Sequence, residues 1–346
     1  MDLLRVVTVP EPGHVELRDI PRPTTRPEHV LIETHFSSIS AGTELLVLEG
    51  NLPGVHGSIV RYPLVPGYEN VGRVVEVGSG VSGLQEGDWV VCEGSTSFPG
   101  VHSCWGGHSE FVHASADQVF RLPDGVDPQV GVFMVLTSIA VHALQRGRIT
   151  LGDDIVIFGQ GAVGLLATQI AYAMGAARVV AIDRVGSRAA VAGELGATHT
   201  IVGESVDEAH PRLEQLSAGR GFDVVVEATG AAEVAGAAPA VCSERGRLVL
   251  AGMYTRPITF DYWDVYTREL DILSSRQAGP KHDLPDPYYR WTWRRTNEYS
   301  LELLAKRQVL VEPLISARMP VEQIEHAYDS LRSHPEDTIK VLLEWH

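Results

Sequence analysis

The chain has 346 residues, enough for two cores rather than one, with 44% hydrophobic and 21% charged residues and a mean hydropathy of +0.01. It contains no run of about 20 unbroken apolar residues that could span a bilayer, and its formal net charge of −16 repels nucleic-acid phosphates and anionic headgroups alike. Neither nucleic acid nor a membrane is expected as a partner, and three widely spaced cysteines, Cys92, Cys104 and Cys242, fit neither a disulfide framework nor a four-thiolate metal knot.

The opening residues, MDLLRVVTVPEPGHVEL, show no basic segment followed by an apolar stretch and a small-residue cleavage site, so a cytoplasmic protein is expected. Next come short β-type runs broken by Gly and Pro: HVLIETHFSSIS, VGRVVEVGSG, GDWVVCEG and SEFVHASADQVFRLP. They predict an antiparallel barrel or sandwich. From about residue 150 to 275, short apolar runs alternate with helix-length amphipathic stretches, the signature of parallel strands with crossover helices. The runs DIVIFG, RVVAID, HTIV, FDVVVEAT, GRLVLAG and LDILSS predict six strands covered on both faces, a doubly wound sheet. A Pro- and aromatic-rich connection, GPKHDLPDPYYRWTW, leads into two amphipathic helices near 297–307 and 321–332 and a last strand, TIKVLLEW. This tail is too small for its own core. It is predicted to pack on the N-terminal β region, giving one domain from 1–126 plus 278–346 and an inserted domain at 127–277.

Gly159, Gly161 and Gly164 form G-x-G-x-x-G directly after DIVIFG and at the start of AVGLLATQIAYAMGA. The first glycine allows the tight turn, the second lets a pyrophosphate approach the backbone, and the third lets helix and sheet pack closely. The helix start, with Ala162 and Val163 in its first turn, offers amides and a positive dipole end to phosphates. Asp183 ends the next strand, where a carboxylate hydrogen-bonds a ribose diol and disfavours a 2′-phosphate, so NAD is expected in preference to NADP. Arg184 and Arg188 are the reservation, since an arginine just past the acid could accept a phosphate; Arg188 also reads as a first-turn residue of an exposed helix. Thr229 and Gly252, at the ends of later strands, complete the cofactor-binding candidates.

Four segments together, SISAGTELLVLEG, VPGYENVGRVVEVGSGVSGLQEGDWV, GGHSEFVHASADQVFRLPDGV and the glycine fingerprint, resemble the medium-chain dehydrogenase/reductase family over nearly the whole chain. The resemblance implies an α/β protein with a GroES-like β-barrel catalytic domain built from both chain ends, an inserted six-stranded Rossmann doubly wound parallel sheet, and a homodimer or homotetramer. Zinc-dependent members carry Cys-Gly-x-Asp and Gly-His-Glu segments that supply metal ligands; here these align with Ala41-Gly42-Thr43-Glu44 and Gly67-Tyr68-Glu69. Ala41 and Tyr68 are poor ligands for catalytic zinc, and the third ligand position falls near Val135. The family's structural-zinc lobe needs four cysteines, and only Cys92 and Cys104 lie near that region. No zinc is expected. AGTE, the shortened lobe, and RELDILSSRQ followed by YYRWTWRRTNEYSLELL look like a zinc-free subgroup that includes bacteriochlorophyllide hydroxyethyl dehydrogenases.

Without metal, the hydroxyl proton of an alcohol needs another route. Thr43 resembles the hydroxyl residue that relays this proton in zinc members. Tyr68 replaces a metal-ligand histidine and reads either as the acid/base or as a plug in the vacated cavity. Glu44 and Glu69, buried together, would raise each other's pKa or need a cationic partner; one reads as a base or as a structural hydrogen-bonding group. His35, His56, His102 and His108 lie in segments that could border the cleft, each also readable as surface or core. Tyr288, Tyr289, Arg290, Trp291, Trp293, Arg294 and Arg295 read as a binder of a ring or anion, or as packing for the helix that follows. The leading expectation is zinc-independent hydride transfer between nicotinamide and a secondary alcohol or ketone of a polar small molecule, a sugar or cyclitol. The alternatives are a redox-neutral epimerase or isomerase with tightly held NAD, and a non-catalytic nucleotide-binding module.

Overall fold

A computed structural model describes residues 3–52, 60–95, 97–276 and 291–346. The chain divides into two units, Met1–Val135 with Ile315–His346, and Leu136–Leu314.

In the first unit the Val- and Ile-bearing strand His29–Ile39 is the hub. It runs antiparallel to Asn70–Val77 and to Phe111–Ser115, and its far end pairs with Lys340–Glu344. Its register shifts between Leu31 and Ile32 and between Thr34 and Phe36, irregularities that bend a strand and let it serve several partners. Gly72 is required opposite the bend, because a Cβ there would lie 2.0 Å from the Glu33 carbonyl oxygen. Trp89–Cys92 and Val119–Arg121 extend the sheet, and Ile315–Pro320 closes the other side, seven strands among the described residues. The expected antiparallel pattern has one exception in this sheet: Ile315–Pro320 lies parallel to Lys340–Glu344. A smaller sheet is built on the hairpin Leu3–Glu11 and His14–Pro21. The helix Ile324–Ser333 carries Ile324, Ala327, Tyr328 and Leu331 at helical spacing on one face, and these pack with Val7, Val9, Ile39, Val341 and Leu343.

In the second unit six parallel strands stand in the order His199–Val202, Arg178–Asp183, Asp154–Phe158, Phe222–Glu227, Cys242–Leu250 and Asp271–Ser274 among the described residues. These are the six apolar runs of the sequence. Order reverses between Asp154–Phe158 and Phe222–Glu227, the switch point at which α/β sheets bind ligands. All five residues of Asp154–Phe158 are buried, as a strand covered on both faces demands.

The unit boundaries differ from the expected 126/127 and 277/278, and they place the helix Trp293–Ala305 in the second unit. Its Trp293, Leu301, Leu303 and Leu304 are buried, and the chain just beyond it is stapled to the helix Ala162–Ala173. The Gln169 side-chain amide donates to the Leu310 carbonyl at 2.9 Å and accepts from the Leu310 amide at 2.7 Å. The chain that follows this helix is thus held by hydrogen bonds that sequence periodicity does not show. Only the residues from Ile315 onward return to the first unit. No helix among the described residues is long and apolar enough to cross a membrane.

Gln169→Ala leaves both Leu310 groups unpaired, so a loss of about 1–3 kcal/mol is expected. A urea midpoint equal to that of the parent chain would contradict the staple.

Candidate active site

In the first unit, the chain leaves the strand His29–Ile39 at Ser40 and enters the short helix Thr43–Leu48. Glu44 folds back on this turn: its amide donates to the Ser40 carbonyl at 2.9 Å, and its Oε1 accepts the Ser40 amide at 2.9 Å. On the facing segment Gly67 adopts φ +93°, and a Cβ there would sit 2.7 Å from the His108 ring. Glycine at this position makes room for that imidazole. Backbone bonds lock the two segments, Gly107 to Gly67 at 2.7 Å and His108 to Pro66 at 3.0 Å.

His108 and Glu44 are both fully buried, with Nε2 and Oε2 2.8 Å apart. An ionised carboxylate only accepts, so Nε2 carries the hydrogen. Tyr328 donates to the same Oε2 at 2.8 Å. Burial pushes the Glu44 carboxyl up, but the His108 charge and hydrogen bonds from His108, Ser40 and Tyr328 outweigh it and hold the group below its ordinary range. Glu69 has a different surrounding. Lys340 donates to its Oε1 at 2.7 Å and Ser38 to its Oε2 at 2.6 Å. Here burial prevails over Lys340 and Ser38, and the carboxyl is held above its ordinary range.

Tyr68, 8% exposed, donates to Ser40 Oγ, lies 3.5 Å from Thr43 Oγ1 and meets the Trp105 ring edge-on at 5.1 Å. Burial, aided by the Glu69 charge, pushes its phenol well above the ordinary value. At neutral pH Tyr68 is therefore a proton donor. The structure brings Thr43, Glu44, Tyr68 and Glu69 into one connected region. Each carboxylate carries its own partner, a lysine for Glu69 and an imidazole for Glu44.

The donor set does not suit a tetrahedral zinc ion. Ala41 and Val135 have no donor atom, Tyr68 keeps its proton, and the Lys340 ammonium sits on Glu69. Burial raises the Cys92 and Cys104 thiols to about 12, far from the thiolates that metals take. Among the described residues no three His, Cys, Asp or Glu side chains gather as a metal cluster.

In the second unit Gly159 turns at φ +86°, and Gly161 caps the helix Ala162–Ala173. A Cβ on Gly164 would lie 1.7 Å from the Gly159 carbonyl oxygen, so only glycine lets the helix approach its strand. Around Gly161 the space is open, with Arg188 Nη1 4.0 Å from its Cβ position. The amides of Gly161, Ala162 and Val163 suit a diphosphate there, with Arg188 beside them. Asp183 holds the loop: Oδ2 accepts the Gln160 amide at 2.6 Å and Oδ1 the Val185 amide at 2.8 Å. Arg184, next to it, is exposed. Thr229 and Gly252 converge on a group the sequence reading passed over, Glu227, whose carboxylate accepts from the Thr229 amide at 2.8 Å and from the Thr229 and Tyr254 hydroxyls. A Cβ on Gly252 would lie 2.8 Å from Glu227 Oε2.

Of the four histidines singled out in sequence, His108 belongs to the buried cluster. His35 packs on Trp89 and His346, His102 is exposed, and His56 lies outside the described residues. Tyr288, Tyr289 and Arg290 also lie outside them. Trp291 lies under the Arg295 guanidinium at 4.2 Å and meets the Tyr299 ring edge-on, and Thr292 accepts the Arg295 amide, which is packing for the helix Trp293–Ala305. Lys340 and Tyr328 carry no motif, and Ser38 and Ser40, within the segment SISAGTELLVLEG, were given no role. The nearest sequence signal is a lysine inside the apolar strand IKVLLE.

Residues 26–124 match the alcohol dehydrogenase GroES-like domain family, and residues 162–293 match the zinc-binding dehydrogenase family. Sorbitol dehydrogenase from Homo sapiens is 30% identical over 343 residues, 93% of this chain and 90% of that one. Galactitol-1-phosphate dehydrogenase from Escherichia coli shares the fold with a TM-score of 0.83 at 24% identity, covering 99% of this chain and 100% of the other. 2R,3R-butanediol dehydrogenase from Bacillus subtilis does so with a TM-score of 0.82 at 23% identity, covering 99% and 100%.

Lys340→Met strands a buried carboxylate, and the expected cost is about 3–5 kcal/mol at neutral pH. Protonating Glu69 removes the uncompensated charge. The deficit is therefore expected to be smallest in acid and to grow as pH rises through the elevated Glu69 pKa. Adding Glu69→Gln should recover most of it; a pH-independent deficit that Gln does not relieve would count against the pairing.

Proposed function

The chain belongs to the medium-chain, zinc-type alcohol dehydrogenase-like family, and we propose that it is a zinc-independent, NAD-dependent oxidoreductase of secondary hydroxyls on polyols, sugars or cyclitols. The observation that carries this reading is the buried run of hydroxyls from Tyr68 to Ser40 and Thr43, where the zinc members of the family place a metal ligand. Polyol-acting relatives support the substrate class, and the acid at Asp183 supports NAD over NADP. Gly161, Ala162 and Val163 would hold the diphosphate and Asp183 the ribose.

The bound dinucleotide supplies a hydride acceptor for the carbinol carbon. The proton is the chain's task. In reduction Tyr68 gives its phenolic proton to the developing alkoxide as the Ser40 hydroxyl proton passes to Tyr68 and a proton from solvent water passes to Ser40. In oxidation the transfers reverse: the alcohol proton passes to Tyr68, the Tyr68 proton to Ser40 and the Ser40 hydroxyl proton to solvent water, so a phenolate need not persist in a site that disfavours it. Glu69 is occupied by Lys340, and Glu44 by His108 and Tyr328, so neither carboxylate is the base. A homodimer or homotetramer is part of the proposal and is read by light scattering.

Incubation with NAD and a panel of sorbitol, galactitol, inositol and 2,3-butanediol is expected to form reduced cofactor, undiminished after dialysis against a zinc chelator. Tyr68→Phe is expected to lower kcat by about 10²-fold or more with little change in dinucleotide affinity. Silence across the panel would sink the substrate class. Activity lost to the chelator and restored by zinc would sink the metal-free chemistry.

A further inference from the structure

We propose that the buried Glu44–His108 pair is a positioning device for the Tyr68 phenol, acting through Ser40; this rests on the reading of Tyr68 as the proton-transfer residue. Ser40 is gripped at both of its backbone groups by one residue, since its carbonyl accepts the Glu44 amide and its own amide donates to Glu44 Oε1, each at 2.9 Å. The orientation of the Glu44 side chain therefore fixes the Ser40 backbone, and with it the Oγ that accepts the Tyr68 hydroxyl. The other acceptor within reach of the phenol, Thr43 Oγ1, stands at 3.5 Å, the limit of a hydrogen bond.

Glu44 is itself held at Oε2, by His108 and by Tyr328, each at 2.8 Å. His108 is held on its far side by Ser37 Oγ at 2.9 Å from Nδ1, and Ser37 Oγ also accepts the Trp345 indole at 2.9 Å. The ring has no space to turn away, because it packs where a Cβ on Gly67 would be. The series Trp345, Ser37, His108, Glu44, Ser40 and Tyr68 runs unbroken. Ser37, His108 and Glu44 are at most 1% exposed, so water does not substitute for a missing member. A buried polar pair of this kind is weak as a source of stability. Its distinctive product here is a fixed place for one hydroxyl.

The test uses the full chain carrying ¹³Cζ-labelled tyrosine, with the Tyr68 resonance identified by its loss in Tyr68→Phe. Glu44→Gln and His108→Gln are expected to move that resonance in the same direction as Ser40→Ala. With sorbitol and NAD, the two Gln variants are expected to lose between about 10- and 100-fold in kcat at unchanged KM for NAD. A Tyr68 resonance that moves in Ser40→Ala but stays fixed in both Gln variants would make the pair merely structural and overturn the proposal. A resonance unmoved by Ser40→Ala would overturn it at its first link. If His108→Gln does not fold, Ser37→Ala decides, since it keeps the ring and removes the Nδ1 partner; a shift supports the device and its absence refutes it. The resonance is read without substrate, so an absence of NADH formation from any alcohol would reject the dehydrogenase reading separately.

Discussion

Two carboxylates buried within one small unit set the terms for everything around them. An ionised carboxylate taken from water costs several kcal/mol unless it is paired and hydrogen-bonded, and Glu44 and Glu69 are both essentially inaccessible. Each has met the demand with a different partner. Glu69 takes an ammonium from the strand Lys340–Glu344, and Glu44 takes an imidazole from the segment that passes Gly67. The strand pairing, the glycine at 67 and the return of the chain from Ile315 onward all serve those two pairings. Without the return there is no Lys340, and without the glycine there is no seat for His108.

The second unit obeys a different constraint, the close approach of backbone to backbone. Gly159 and Gly164 are there because nothing larger fits, and the turn they permit is stiffened by Gln160, whose side chain bonds the Ile157 carbonyl and accepts from Thr168. Asp183 reaches back to the same loop. One carboxylate thus shapes the glycine loop from the end of the neighbouring strand. A comparable economy recurs at Glu227, which gathers the Thr229 and Gly230 amides and the Tyr254 hydroxyl between two adjacent strand ends.

What sequence made legible and what it did not follow from the range of the interactions. The six parallel strands were readable because each is a local apolar run, and the glycine loop because its spacing is local too. Tyr68 and Glu69 were singled out as candidates from neighbouring residues of one segment. Lys340 and Tyr328 join the site across sequence separations of 271 and 284 residues, and no local pattern announces such pairings. The helix Trp293–Ala305 was assigned to the wrong unit for the same reason: its amphipathic face says that it packs, not on what. Ser40 was invisible because a serine at a strand end is common, and only the position of the phenol gives it a role.

The strand Lys340–Glu344 has a consequence in time as well as in space. Chains are made from the N-terminus at about 5–20 residues per second, and domains fold as units when complete. The first unit is interrupted by the whole of the second, which is finished while residues 315–346 are still to come. Throughout that interval the N-terminal strands lack the ammonium for Glu69 and the indole that anchors Ser37. Glu69 thus gains its ammonium only after the whole of the second unit has been made.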